Sequence, residues 1–457
     1  MPFKSEMLED EISPQINKYA DVCISNSCID PDLYGKYDVK RGLRDSNGKG
    51  VLTGLTEIGD VHSYDNIDGK SVPCEGKLFY RGYDIEEIVE DFSSNGRFGF
   101  EEVTYLLIFG ELPTKQKLDK FNVQLAEYRE LPISFVRDVI MKAPSPDIMN
   151  VLARSVLTLY SYDALGDDTS IPNVLRQCLT LIARVPLISV YGHLTYQHYY
   201  GRESLHINNP DPELSTAENI LRLLRPDSQY TDFEAKVLDL CLVLHAEHGG
   251  GNNSTFTTHV VSSTGTDTYS AIAASLCSLK GPKHGGANIK VKKMFDHMKE
   301  TISHWDDEEE VMDYLMALLD KKLYDKKGLI YGIGHAVYSI SDPRAKILKK
   351  YAKELSIQKN CEKEFALYET VERLAPEAIY RVHKVNKNVS ANVDFYSGFV
   401  YTSLGLPDEL FTPMFASARM AGWSAHRIEE LINDGKIIRP AYKNVAKRAP
   451  FKPIDER

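Results

Sequence analysis

At 457 residues, with 43% hydrophobic and 26% charged side chains, the chain has the composition of an ordinary soluble protein and a large core, and its length suggests about two to four domains. Lys and Arg number 54 against 65 Asp and Glu, a formal charge of -11 with no dense basic run, which argues against a general nucleic-acid binder but not against local arginines that hold an anion. The seven cysteines are scattered without a CxxC pair, the opening MPFKSEMLEDEISPQ lacks an apolar core and is too acidic for a mitochondrial leader, and no apolar run approaches ~18 residues. A reduced, cytoplasmic protein with no membrane span is expected.

Residues 1–75 carry few long periodic patterns. Asp45-Ser46-Asn47-Gly48 reads as a turn, and short strands are predicted over 52–58 and 77–80. Helical periodicity starts at Tyr83 and runs to Phe92, then resumes over 100–110, 115–129, 132–142 and 147–162, each break carrying Gly, Pro or Asp. The long apolar stretch 171–199 is broken at Pro186 and Gly192. After the loop Asn208-Asn209-Pro210-Asp211-Pro212 comes a short helix, 216–224. Thr231 and Glu234 have the spacing of a capping box and open a helix, apolar nearly all round, that closes near His248. Helix 254–263 follows, and Asp267 caps another in which Ala271, Ala273, Ala274 and Ser275 allow close packing, within a subunit or across an interface. Residues 290–327 are rich in both lysine and acid and look solvated, and 305–310 reads as a wet helix start. A glycine-rich loop occupies 328–335. Asp342-Pro343-Arg344 starts a helix with proline at its first position, and helices continue to about His383. Asn392-Val393-Asp394 leads into a helix over 395–404, Thr412-Pro413 opens the one that carries Arg419 and ends near Gly435, and 436–457 is a basic tail containing Arg439-Pro440. With no internal repeat, the fold expected is mainly α with little sheet.

Histidine recurs beside glycine. His245 and His248 precede Gly249, Gly250 and Gly251; His284 lies between Gly281-Pro282 and Gly285-Gly286; His335 ends the 328–335 loop. Glycine lets backbone approach a ligand closely. A lone histidine at a helix end is more often a cap or a core residue, so the repetition carries the signal. Arg344, Arg419 and Arg439 stand beside Gly or Pro punctuation, and Asp394 stands at a helix start. A metal is not expected at His245 and His248: they are i, i+3, Glu247 precedes the second histidine, and soft ligands are missing nearby. The glycine loop does not follow a clear strand, which disfavours a dinucleotide fingerprint and leaves a loop that offers backbone groups to a ligand.

The strings HAEHGGGN, GPKHGGAN, GIGHAVYSISDPR, NVDFYSG, SARMAGW and IRP, in that order, resemble the motifs of the citrate synthase family, and KLFYRGYDIEEI and FEEVTYLLIFGELPT resemble its N-terminal half. The resemblance covers nearly the whole chain and extends to 2-methylcitrate synthases. It implies a two-domain helical fold with the active site in the cleft between domains: a large domain from 1–286 and 403–457, and a small one from 287–402. It implies condensation of acetyl-CoA with oxaloacetate and water to citrate and CoA, through an enol(ate) and citryl-CoA, in an enzyme with no permanently bound cofactor and no metal. On this resemblance His284 holds the thioester carbonyl, Asp394 is the general base and His335 polarises and protonates the ketone. His248, Arg344 and Arg419 bind the carboxylates of oxaloacetate, Asn252 orients the site, and Arg439 crosses a homodimer to the neighbouring site. Leu329, Ile330, Tyr331, Gly332, Ile333 and Gly334 match the segment that wraps the adenine of CoA. His245 is assigned either to support of the site or to structure. Ser339 departs from the family, many of whose members carry Lys or Arg there to meet CoA phosphates. Phe395-Tyr396 matches bacterial forms.

The chemistry stands on its own terms. A thioester methyl is a weak carbon acid, so its proton is removed by a base and an electrophile acting together. Asp394 at a helix N-terminus is expected to stay ionised, and His284, just before a helix starting near Ala287, to stay neutral, both through helix dipoles. Three arginines suit a dicarboxylate. The rival readings are a 2-methylcitrate synthase acting on propionyl-CoA, since one methylene is worth only ~1–3 kcal/mol, and a catalytically silent ligand-binding relative.

Overall fold

The computed structural model describes residues 12–45, 48–67, 70–334, 337–338, 340–384 and 389–457. The chain divides into two units, Met1–Leu55 and Thr56–Arg457. In the first, Ser13 caps the helix Pro14–Ser27, which buries none of its side chains, and a shorter helix, Asp32–Lys36, follows. Of the expected 45–48 turn, Ser46 and Asn47 lie outside the described residues; Gly48 N–H donates to Asp45 O at 2.9 Å.

The strand expected over 52–58 does not form. The sheet lies just downstream: three antiparallel strands in sequence order, Gly59–Ile67, Lys70–Tyr80 and Tyr83–Asp84. Gly59 pairs with Tyr80 and Ile67 with Lys70, with an irregularity between His62 and Tyr64. The strand expected over 77–80 forms the end of Lys70–Tyr80, while polar alternation, Pro73 and Gly76 hide the rest of the sheet in the sequence. Gly76 is required by packing, since a Cβ there would sit 2.1 Å from the carbonyl of Ser341.

Helices account for most of the rest. Asp84 caps Ile85–Ser94, and Phe100–Phe109 ends at Gly110 with φ +76°, the left-handed C-cap that glycine favours. Lys115–Tyr128 and Ile148–Leu159 fall where periodicity placed them. The helix expected over 132–142 is only a single π turn, Val136–Ile140. Pro186 and Gly192 do not break the apolar stretch: Ile171–Tyr196 is one continuous helix, buried along most of its length. Its neighbours enclose it, so tertiary burial overrides the local cost of proline. With the π turn that follows, this helix is long and apolar enough by composition to cross a membrane, contrary to the expectation of no such run, but 83% of its apolar window is buried inside the protein, as in the centre of a helical core.

Thr216–Leu224 and Asp232–His245 both start with complete capping boxes, the second formed by Thr231 and Glu234 as its spacing predicts. Asn253–Ser262 and Thr268–Lys280 follow, the latter capped by Asp267. The segment expected to be solvated instead forms two half-buried helices, Ala287–Thr301 and Glu308–Leu319. Val291, Met294, Phe295 and Met298 are buried, and the Phe295 ring stacks on Tyr368 at 3.5 Å. The lysines occupy the other face, which masks the apolar stripe in composition. Pro343–Gln358, Glu362–His383, Val393–Ser403 and Phe411–Ile432 complete the helices. The last is buried from Phe411 to Ile428 and runs through the core of the second unit.

Candidate active site

His284 sits in the turn between Thr268–Lys280 and Ala287–Thr301. Gly285 N–H donates to Leu279 O at 2.9 Å, and a Cβ at Gly285 would lie 2.4 Å from that oxygen, so only glycine permits this turn. The ring is fixed by Ser254, the second residue of Asn253–Ser262. Ser254 N–H donates to Nε2 at 3.3 Å and its hydroxyl lies 3.0 Å from the same nitrogen. A backbone N–H can only donate, so Nε2 is an acceptor and the proton of the neutral ring is on Nδ1. Burial, then the Arg419 charge, lowers the His284 pKa to about 4. His284 is therefore a neutral N–H donor at physiological pH. The N-terminal N–H of Asn253–Ser262 fixes the tautomer, while burial and Arg419 keep the ring neutral, not the dipole of the helix after His284 that the sequence suggested. Asn252, the N-cap of that helix, accepts from Ser254 Oγ at 3.0 Å, and Trp423 Nε1–H donates to the same hydroxyl at 3.2 Å.

Asp394 is the second residue of Val393–Ser403, and its N–H donates to the side chain of Asn392 at 3.0 Å. Its carboxylate has no hydrogen-bond partner among the described residues. Burial raises its pKa to about 6, against the lowering influence of Arg344 and Arg419. The expectation that the helix dipole would dominate is corrected here. A dipole contributes roughly 0.3–1 kcal/mol, and desolvation outweighs it. The group is still mostly ionised at neutral pH, with a pKa well placed for a base.

Two arginines converge on this region. Arg344 is buried and forked onto Asp342, with Nε at 3.1 Å and Nη2 at 2.8 Å from the two carboxylate oxygens. Burial works against its charge, and Asp342 more than compensates, so its pKa is raised. Asp342 caps Pro343–Gln358 and accepts from Val393 N–H at 3.3 Å, which ties Arg344 to the start of the Asp394 helix. Only the Nη1 group of Arg344 is left over. Arg419, on Phe411–Ile432, is fully buried; Nε donates to His245 O at 2.6 Å, and neither Nη1 nor Nη2 has a partner among the described residues. Burial, against the raising influence of Glu247, lowers its pKa to about 10, still charged. An uncompensated buried guanidinium costs several kcal/mol, so the site is built for an anion.

His248 is buried with its ring 5.7 Å from Tyr338, and Tyr338 in turn lies 5.9 Å from the Arg344 guanidinium. His245 donates from Nδ1 to Cys241 O at 2.7 Å, and burial lowers its pKa to about 3. Its carbonyl aims Arg419, which makes it a positioning residue. His335 and Ser339 lie outside the described residues. Leu329 is half exposed, and Ile330 and Tyr331 are buried. The loop is held by the segment before Asp394. Gly334 N–H donates to Ser390 O at 2.8 Å, Asn392 N–H to Gly332 O at 2.9 Å, and Asn392 Nδ2 to Gly334 O at 2.8 Å, while Ile333 bridges Ala391. Gly332 has φ +81°, and a Cβ would lie 2.8 Å from Phe395. Arg439 is exposed, and no hydrogen bond or ion pair joins it to another site residue among the described residues.

Thus His284, Asp394, Arg344 and Arg419 share one electrostatic neighbourhood, with His248 beside it and Arg439 apart. Sequence reasoning missed Ser254 as the group that sets the His284 tautomer and Asp342 as the clamp on Arg344. The position of Asp342, an N-cap before a proline and an arginine, was the available signal.

A family model described as Citrate synthase, C-terminal domain, matches residues 47–441. The chain is 35% identical over 380 residues to the citrate synthase of Synechocystis sp., covering 82% of this chain and 85% of that protein. It is 32% identical over 425 residues to 2-methylcitrate synthase 2 of Corynebacterium glutamicum, covering 92% and 98%. The fold matches the citrate synthase of Thermoplasma acidophilum, solved as a ternary complex with carboxymethyl coenzyme A and oxaloacetate, with a TM-score of 0.74 at 28% identity over 92% of this chain and 99% of that one.

Proposed function

The chain belongs to the citrate synthase family, and from that premise we propose that it condenses acetyl-CoA with oxaloacetate and water to give citrate and CoA, with Asp394 and His284 acting on the acetyl group. The observation that carries this reading is the meeting of a neutral N–H donor, a carboxylate with a pKa of about 6 and a buried guanidinium with two unpaired Nη groups. Asp394 takes a methyl proton while His284 Nδ1–H donates to the oxygen on which the enolate charge develops. The carbon then adds to the ketone of oxaloacetate, whose oxygen gains a proton, a step the family resemblance gives to His335. Water hydrolyses the citryl thioester and CoA leaves as the thiol. Arg419 receives one carboxylate through two N–H groups, with Arg344 Nη1 and His248 as further donors. The loop 329–334 carries the CoA nucleotide, with 287–402 closing as the smaller domain over 1–286 and 403–457. The seven cysteines, all unpaired, fit a reducing cytoplasm.

The testing experiment is thiol release with oxaloacetate and either acetyl-CoA or propionyl-CoA. A clear preference for acetyl-CoA is expected. The similarity to a 2-methylcitrate synthase keeps propionyl-CoA as the second reading, and a preference for it would establish that reading instead; release with neither would leave a silent binding protein. In the same assay kcat/KM should fall tenfold per pH unit below about 6, where Asp394 takes up its proton. The His284 transition, near 4, lies too low to account for that limb. A rate flat from pH 7 to 5 would remove Asp394 from the role of base.

We propose further that Arg439 completes the site of a second subunit. The reading is supported by its exposure in a segment without helix or strand that also exposes Ile437, Tyr442 and Phe451. Mixing an Arg439→Ala chain with an Asp394→Asn chain should restore activity, because one site of the mixed dimer collects both lesions and the other neither. If mass measurement shows subunit exchange and no activity returns, the shared site is wrong.

A further inference from the structure

We propose that His259, His426 and Glu429 form a binding site for one divalent transition-metal ion of the zinc class, separate from the residues assigned to the condensation. His259 stands on Asn253–Ser262, and His426 and Glu429 stand on Phe411–Ile432, so the ligands are mounted on two packed helices. Their ligand atoms all lie within 4.8 Å of one another. His259 Nε2 and His426 Nδ1 face each other at 3.1 Å, and His426 Nδ1 lies 3.7 Å from Glu429 Oε2. Two nitrogens bound tetrahedrally to zinc at ~2.0–2.1 Å would be about 3.3 Å apart, so these atoms already stand close to ligand spacing.

The far side of each ring strengthens the case. His259 Nδ1–H donates to Glu430 Oε2 at 2.7 Å, and His426 Nε2–H donates to Glu247 Oε1 at 3.1 Å. Each imidazole is thereby oriented by a carboxylate with its other nitrogen turned inward, the support that metal-binding histidines use. With both far nitrogens protonated, two lone pairs would confront each other unless a cation lies between them. Glu429 is aimed the same way. Its Oε1 accepts from Glu57 N–H at 2.8 Å, and its buried Oε2 has no hydrogen-bond partner among the described residues. Three carboxylates, Glu247, Glu429 and Glu430, thus surround two imidazoles; Arg81 feels Glu429 and Glu247, and Arg419 feels Glu247.

Without a metal the cluster is served by a proton. Burial opposes the charge on His426, but Glu247 prevails and the pKa rises to about 9. A metal ion would replace that proton. The site connects to the condensation residues through Glu247, whose Oε1 also accepts from Gly249 N–H, next to His248.

The test is calorimetric titration of chelator-treated enzyme with Zn2+ in two buffers of different ionisation enthalpy, together with Co2+ absorption. One ion per chain and about one proton released per ion at pH 7 are expected. His259→Gln should abolish binding. Glu430→Gln, which removes only the carboxylate behind His259, should weaken it by about 10–100-fold. His62→Ala should leave it unchanged; it alters the exposed group of His62, Asp65 and Cys74, the other cluster with ligand spacing among the described residues. Because His259→Gln could fail to fold, the unsubstituted enzyme is also soaked with Zn2+ and examined by anomalous diffraction. A peak between His259 and His426 supports the site. No saturable binding, binding unaffected by His259→Gln in a folded variant, or a peak at His62 instead overturns it and leaves the cluster with a shared proton only.

Discussion

Asp394→Asn should lower the exchange of acetyl-CoA methyl protons with solvent, measured with an oxaloacetate analogue bound, by about 10²–10⁴-fold. The amide has the shape of the carboxylate and cannot take the proton. The fold should survive, because among the described residues the Asp394 carboxylate makes no hydrogen bond that the amide would lose, and the contact that anchors the residue is from its own N–H to Asn392. Removal of a half-buried carboxylate held at a pKa of about 6 also relieves a desolvation cost, so the melting temperature should not fall. Exchange at the parent rate in the variant would show that another group takes the proton.

Arg419→Met should raise the Michaelis constant for oxaloacetate by roughly 10²-fold or more, since two charged hydrogen bonds at ~1.5–3 kcal/mol each disappear. Arg344→Met should cost oxaloacetate binding less, because two of the Arg344 nitrogens already serve Asp342. The acetyl-CoA constant should change little in either variant. Stability should move the other way for Arg419. Its two Nη groups are buried without hydrogen-bond partners among the described residues, so the unliganded variant should melt no lower than the parent and should lose most of the parent's stabilisation by oxaloacetate. Steady-state kinetics with both substrates varied, plus melting with and without oxaloacetate, decides. An effect confined to acetyl-CoA would place Arg419 on the other substrate.

What the sequence shows and conceals follows physical range. Capping is local, so Thr231 with Glu234, Asp267 and Asp342 announce their helices within a few residues. Glycine beside histidine marks His284 because the turn needs Gly285 at that spot. Effects that depend on distant groups are hidden. Pro186 looks like a break because its cost is local, whereas the burial that overrides it comes from helices far along the chain. The end of the second strand, 77–80, is legible in its own residues, but 59–76 lacks an apolar face that periodicity could detect, and Gly76 is explained by the distant Ser341. The neutral state of His284 was expected from a helix dipole, whereas burial and the distant Arg419 set it, and Ser254, 30 residues earlier, fixes the tautomer. Asp394 was assigned by position to a dipole, when its pKa is set by how deeply the site is buried.

Asn392 gives the glycine loop and the base a common datum. Although 58 residues separate Gly334 from Asn392 in sequence, one amide side chain donates to the loop and accepts from Asp394. Positional error therefore does not accumulate along the two intervening helices. A displacement of the loop carries Asp394 with it, so a ligand held by that loop would keep its register to the carboxylate. Since misplacement by about 1 Å can cost 10²-fold in rate, this shared anchor lets the surrounding helices breathe without spoiling the alignment that the reaction needs.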